Sequence, residues 1–104
     1  MIAFVWDGDQ LGNSDIYVKL LDSSQPLQLT TGPDQKVGPI WSPDGRRIAY
    51  TSGLVAVDRY VYEIPALGGE PRRIAAGVAF DWSPDGNSLL VIRNESHGHY
   101  DRAP

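Results

Sequence analysis

The pentapeptide Trp41-Ser42-Pro43-Asp44-Gly45 returns intact as Trp82-Ser83-Pro84-Asp85-Gly86, forty-one residues further along a chain of 104. Each copy is followed at the same offset by an apolar run of β type, Ile48-Ala49-Tyr50 after the first and Leu89-Leu90-Val91 after the second. Five identical residues in register, with matching flanks, make the chain a tandem repeat. A period in the low forties is that of a propeller blade built from four strands.

The chemistry of the pentapeptide specifies a strand, a tight turn and a second strand. Proline has φ fixed near the value required at the second position of a type I turn, Asp suits the third, and Gly tolerates the positive φ of a hairpin exit. Ser-Pro-Asp-Gly is therefore expected to be a hairpin loop. The preceding tryptophan ends the incoming strand, with a large apolar body to bury and an indole N–H that needs an acceptor. Packing between neighbouring blades is its expected use, and stacking on a ligand is the competing one.

In chain order, Ile2 to Trp6 matches the run after each turn, so the sequence opens on the second strand of a blade. A polar loop, Asp7 to Ser14, leads to a third strand over Asp15 to Leu21, a turn at Asp22 to Gln25, and a half-exposed fourth strand at Pro26 to Thr30 whose apolar and polar residues alternate. A complete blade follows. Its strands are predicted at Val37 to Trp41, Arg47 to Ser52, Arg59 to Ile64 and Pro71 to Ala75. Tyr17 aligns with Tyr62 and Leu29 with Ile74, both at a spacing of forty-five. Val78 to Trp82 and Asn87 to Arg93 begin another blade, with its loop and third strand over Asn94 to Asp101. No window carries apolar residues at helical spacing behind a cap, so no helix is predicted. The predicted fold is all-β, four-stranded antiparallel blades in an incomplete propeller: a partial blade at 1–30, a complete one at 37–75 and a partial one at 78–101.

These residues resemble the TolB-like, Trp-Asp-like β-propeller repeat family. Its pattern is a short strand ending in Trp-Ser-Pro-Asp-Gly, an Ile-Ala-Phe/Tyr strand, a polar loop, an Asp-Ile-Tyr-Val strand, a turn and a Leu-Thr end. Trp41 to Ser52, Asp15 to Thr30 and Trp82 to Ile92 carry the likeness, and Arg59 to Ile74 is similar with Tyr62 in the tyrosine place. The resemblance implies rings of about six or more blades that act as protein-interaction platforms outside the cytoplasm, or as accessory domains. Similar repeats are fused behind bacterial serine/threonine kinases and winged-helix regulators, or cap prolyl-oligopeptidase-type peptidases.

A ring of even four blades needs roughly 170 residues at this period. The chain is thus expected to be a segment of a longer propeller, with a self-complementing oligomer as the alternative. Blades stack face to face, so an isolated segment is expected to leave one apolar face bare on each end sheet, open to self-association.

Composition narrows the function classes. A net charge of −4, with basic residues scattered as the pairs Arg46-Arg47 and Arg72-Arg73, offers no basic stripe for nucleic acid. Those pairs read as solvated strand ends. The absence of cysteine excludes disulfides and thiolate metal sites. No apolar stretch approaches the ~20 residues that cross a bilayer, and Met1 leads into Ile2-Ala3-Phe4 without the basic region of a secretory signal. That pattern points away from export where the resemblance points towards it, so compartment is left open.

Asp7, Asp9, Gly12 and Asp15 partly match a calcium loop, but its fifth position is Leu11 and its twelfth Val18, where ligands belong. Asp and Asn bonded to their own backbone are the preferred reading. His97-Gly98-His99 could share a metal only with further ligands, and Glu95 and Asp101 are the nearest. Asn94-Glu95-Ser96 fits a glycosylation acceptor formally. No serine sits in a Gly-x-Ser-x-Gly elbow, and kinase and P-loop signatures are absent. The sequence therefore predicts no catalytic, cofactor or metal residues. The ten pentapeptide residues are assigned a structural part, and another protein or domain is the expected partner.

Overall fold

A computed structural model describes residues 1–6, 14–19, 25–32, 34–53, 59–92 and 98–102, with the backbone alone for Phe80 and 98–102. Ten strands are formed: β1 Ile2–Trp6, β2 Asp15–Lys19, β3 Leu27–Gln28, β4 Lys36–Trp41, β5 Arg47–Ser52, β6 Tyr60–Pro65, β7 Arg72–Ala76, β8 Val78–Trp82, β9 Ser88–Ile92 and β10 Gly98–Arg102. They make three antiparallel sheets among the described residues. The first is β1-β2-β3, the second β4-β5-β6-β7, and the third β8-β9-β10. No helix occurs among the described residues. The protein is all-β and propeller-like, and among the described residues a four-stranded sheet lies between two of three strands.

Two seams hold the sheets together, and β5 serves both. Alternation along a strand sends Ile48 and Tyr50 to one side and Ala49 and Thr51 to the other. Ile48, Tyr50 and Ile64 pack with Ile16, Val18 and Leu29 of the first sheet. Ala49 and Val61 pack with Ala79, Trp82, Leu89 and Val91 of the third. The middle sheet is thereby covered on both faces, and β5 is buried from Ile48 to Ser52 for that reason.

The innermost strands bend at equivalent points. In β4 the register slips between Val37 and Ile40, and in β8 between Ala79 and Asp81. One extra residue in each gives a β-bulge, which turns the strand and increases local twist. β3, the third strand of the first sheet and the one predicted over Pro26 to Thr30, is shorter than alternation predicts, since only Leu27 and Gln28 pair with β2. Leu29 still donates its N–H to the Ile16 carbonyl, at 2.9 Å, but the Ile16 N–H goes to the Thr30 hydroxyl, also at 2.9 Å. A side-chain oxygen replaces the backbone acceptor, and the ladder ends there.

Lys36 and Asp15 depart from the sequence reading. Lys36 falls just before the strand predicted from Val37, yet it opens β4 with only 5% of its surface exposed. Its ammonium lies 3.2 Å from the buried Asp15 carboxylate and donates to the Thr31 and Gly32 carbonyls at 2.8 and 3.1 Å. Asp15 also accepts from the Thr30 hydroxyl at 2.8 Å. That closed set of partners is what a buried ion pair needs to be tolerated.

Candidate interaction face

The described turns that join β4 to β5, β6 to β7 and β8 to β9 gather at one end of the sheets. Two of them are the repeated pentapeptides. In the first, Asp44 accepts from the Ser42 hydroxyl at 2.6 Å and from the Arg46 N–H at 3.0 Å. The Ser42 hydroxyl in turn accepts from the Arg47 N–H at 3.0 Å. In the second, Asp85 accepts from Ser83 at 2.6 Å and from the Asn87 N–H at 2.9 Å, while Ser83 accepts from the Ser88 N–H at 3.1 Å. Gly45 and Gly86 carry φ of 73° and 76°, a conformation closed to most side chains. The Ser hydroxyl and the backbone N–H favour the ionised carboxyl and hold Asp44 and Asp85 below the usual aspartate value. These aspartates are turn formers, each with Oδ1 engaged twice within its own turn.

The tryptophans that end β4 and β8 meet different surroundings. Trp82 is buried in the seam between the second and third sheets, and its indole N–H donates to the Ile40 carbonyl at 3.0 Å. Trp41 is half-buried against the seam between the first and second sheets.

Arg47 differs from the solvated strand end read from sequence, whereas Arg72 keeps 55% of its side chain exposed, as that reading expects. Arg47 leaves the first turn, lies 4.8 Å over the Trp82 ring and donates to the Gly86 carbonyl at 2.7 Å. It pairs with Glu63 at 3.2 Å, and Arg72 pairs with the other carboxylate oxygen at 3.0 Å. Arg73 lies 4.8 Å over the Tyr60 ring. The sequence held one clue to this cluster, because Glu63 interrupts the otherwise apolar Tyr60-Val61-Tyr62-Glu63-Ile64. A buried carboxylate in such a run demands cations nearby, but the strand does not say which ones.

Around this cluster lies a cleft of about 480 Å³ bounded by Arg47, Glu63, Pro65, Glu70, Pro71 and Arg72. A shallower, apolar hollow of about 300 Å³ lies beside Gly45, Arg46, Pro65, Ala66 and Leu67. Leu67, at the tip of the β6–β7 turn, is 70% exposed. The cleft offers charged walls whose charges are matched, an apolar floor and a projecting leucine. Chemically it can hold a polypeptide by shape and hydrogen bonding.

Among the described residues no three His, Cys, Asp or Glu side chains gather as a metal site. Asp15, the last member of the partial calcium pattern, has its carboxylate engaged by Thr30 and Lys36. Asp7, Asp9 and Gly12 lie outside the described residues, as do Asn94, Glu95, Ser96 and His97. His99 and Asp101 fall in β10, which is described by its backbone.

No family model matches the chain. Curated proteins that resemble it include the following three. A Bacillus subtilis protein named "Uncharacterized peptidase YuxL" is 35% identical over 89 residues, which is 82% of this chain and 14% of the relative. "Putative tricorn protease homolog 2" of Streptomyces coelicolor is 35% identical over 103 residues, 88% of this chain and 9% of the relative. "Tol-Pal system protein TolB" of Alcanivorax borkumensis is 33% identical over 78 residues, 69% of this chain and 15% of the relative. The chain spans less than a sixth of each of these three.

Proposed function

Because the chain is a partial run of TolB-like β-propeller repeats, we propose that it is a non-catalytic propeller segment whose turn-bearing end is a platform for another protein or domain. Binding there is by shape and loop chemistry, with no bond made or broken. The observation that carries this reading is the exposed Leu67 beside an apolar hollow and a proline-floored cleft. Rigid sheets hold these features in fixed relation, the arrangement by which scaffolds present binding loops.

The test is a photo-crosslinking residue in place of Leu67 in cells that make the protein. A discrete crosslinked protein supports the platform. A folded variant that yields no adduct at Leu67, or at Glu70 across the turn, removes it.

A second reading follows from two of the relatives, whose printed names say peptidase and protease. In it the segment is the accessory, gating propeller of a larger peptidase, and the sensory propeller of a kinase or winged-helix regulator is its variant. The reading frame that flanks the coding sequence separates these. A Gly-x-Ser-x-Gly hydrolase domain, a kinase or a winged-helix domain in frame supports the second reading, and further repeats alone support the first.

A further inference from the structure

The place that Arg47 fills at the second seam has a counterpart at the first. Cross-strand pairing fixes the equivalence: Phe4 partners Tyr17 as Tyr50 partners Tyr62, so Ile2 stands for Ile48 and Met1 for Arg47. Trp41 and Gly45 stand in turn for Trp82 and Gly86. At the second seam the Arg47 guanidinium lies over the Trp82 ring at 4.8 Å and donates to the Gly86 carbonyl at 2.7 Å. At the first seam Met1, Trp41 and Gly45 instead bound a hollow of about 230 Å³. A thioether has no hydrogen to donate to a carbonyl, so the methionine cannot do what the arginine does.

The acceptor surfaces are otherwise built alike. Gly45 and Gly86 have φ of 73° and 76°, and each glycine N–H donates at 2.9 Å to the carbonyl of the serine three residues before it. Matching turns hold the two glycine carbonyls in matching positions beside their tryptophans. Among the described residues no backbone N–H donates to the Gly45 carbonyl. A strand and turn ahead of Met1 would not fill the hollow. At the second seam Arg46, the residue ahead of Arg47, is exposed, and Pro43 stands 3.5 Å from where a Gly86 Cβ would lie. The preceding turn therefore roofs the place, and the residue that enters it is Arg47, whose counterpart Met1 is already there. The counterpart of Glu63 is Val18, so the first seam offers the ring face and the carbonyl without the carboxylate.

We propose that this hollow binds the guanidinium of an arginine side chain on a partner protein, laid over the Trp41 ring and donating to the Gly45 carbonyl. A planar guanidinium lies flat on a ring and still donates from its edge, whereas an ammonium is a compact, strongly hydrated point charge. The hollow adjoins the apolar one beside Leu67, with which it shares Met1 and Gly45, so a segment with an arginine next to an apolar residue fits both. Recognition of a partner rests on the platform reading, while the site itself answers to a small molecule. Guanidinium binding without crosslinking at Leu67 removes the platform alone, and crosslinking without guanidinium binding removes the site alone.

The experiment follows the Trp41 indole N–H resonance of the protein, identified by its loss in Trp41→Phe, while N-acetyl-arginine methylamide is added at constant ionic strength. A saturable shift is expected, with a dissociation constant on the order of 10 mM for so few contacts. The lysine analogue and the uncharged citrulline analogue should each bind at least ~5-fold more weakly. Met1→Arg, made behind an added methionine, places a guanidinium there in cis as Arg47 is placed at the second seam, and should abolish the shift. Arg47→Met should open the equivalent place and extend the response to the Trp82 indole; if that variant does not fold, Met1→Arg decides. Absence of a saturable shift up to about 100 mM probe overturns the proposal. So does equal binding of the citrulline analogue, which would mean that the ring takes any flat group, and so does a shift undiminished in Met1→Arg, which would place the probe elsewhere.

Discussion

The two seams share a backbone plan and differ in how they are sealed. Where the first sheet hands over to the second, the Lys36 N–H donates to the Ser14 carbonyl at 3.1 Å; where the second hands over to the third, the Gly77 N–H donates to the Arg59 carbonyl at 2.9 Å. The donors are forty-one residues apart and the acceptors forty-five, the two spacings of the repeat. At the first crossover the lysine side chain runs inward to Asp15. At the second any side chain is shut out, because a Cβ on Gly77 would stand 2.5 Å from the Ile92 carbonyl oxygen. The second seam takes its polar anchors from Trp82, Arg47 and Thr51 instead. A repeat can thus hold the crossover bond fixed while side chains lock it by charge at one place and by close approach at another.

That contrast can be broken by substitution. The largest effect is expected from Lys36→Met, which leaves the Asp15 carboxylate buried without its cation and should cost about 4 kcal/mol of unfolding free energy in urea. Adding Asp15→Asn should restore most of it. A loss below about 1 kcal/mol would mean that the pair behaves as a surface pair and that the two crossovers are alike.

Ile48 and Leu89 occupy equivalent repeat positions, and each is fully buried, one in each seam. Their replacement by alanine should cost about 3 kcal/mol apiece. Near-equal losses would locate the difference between the seams in their polar anchors alone, whereas a gap above about 1 kcal/mol would place it in packing as well.

Trp82→Phe keeps most of the apolar bulk but leaves the Ile40 carbonyl without its donor, for about 1 kcal/mol. Trp41→Phe, against the half-buried ring, should cost less by the same urea measurement.

The smallest effect belongs to the turns, which are alike in both repeats. The Ser hydroxyls and backbone N–H groups hold the Asp44 and Asp85 carboxyls below the ordinary aspartate value when folded, and unfolding releases them to it. Their contribution is therefore complete above the unfolded value and lost as pH falls through the folded one. The melting temperature gap between wild type and the Asp44→Asn, Asp85→Asn double variant should be flat from about pH 7 to 5 and should close in strongly acid solution. A gap that widens on acidification would contradict the assigned hydrogen bonds.

Much of the fold was legible because it is written in short-range chemistry. Pro43, Asp44 and Gly45 encode a turn within three consecutive residues, and the apolar runs after each copy of it mark the strands that lie between sheets. The forty-one-residue return of that turn gives the number of sheets. The charged cluster at the turn-bearing end was less legible. Glu63 announced a buried charge without naming Arg47 and Arg72, sixteen and nine residues away. Of the basic pairs read as solvated, Arg46, Arg72 and Arg73 are exposed and only Arg47 folds back, since a sequence does not show what a long side chain lies upon. Leu67 carried no signal at all, since an isolated leucine in a turn is equally at home buried.

By itself the sequence determined the secondary structure and the unit of repetition, since both follow from φ preferences and from side-chain period along a single strand. Which side chains close each seam was decided only in three dimensions. Lys36 and Asp15 are twenty-one residues apart, and Trp82 and Ile40 forty-two. Their contacts form only once sheets have stacked and excluded water, and at that distance along the chain no local preference can specify a partner.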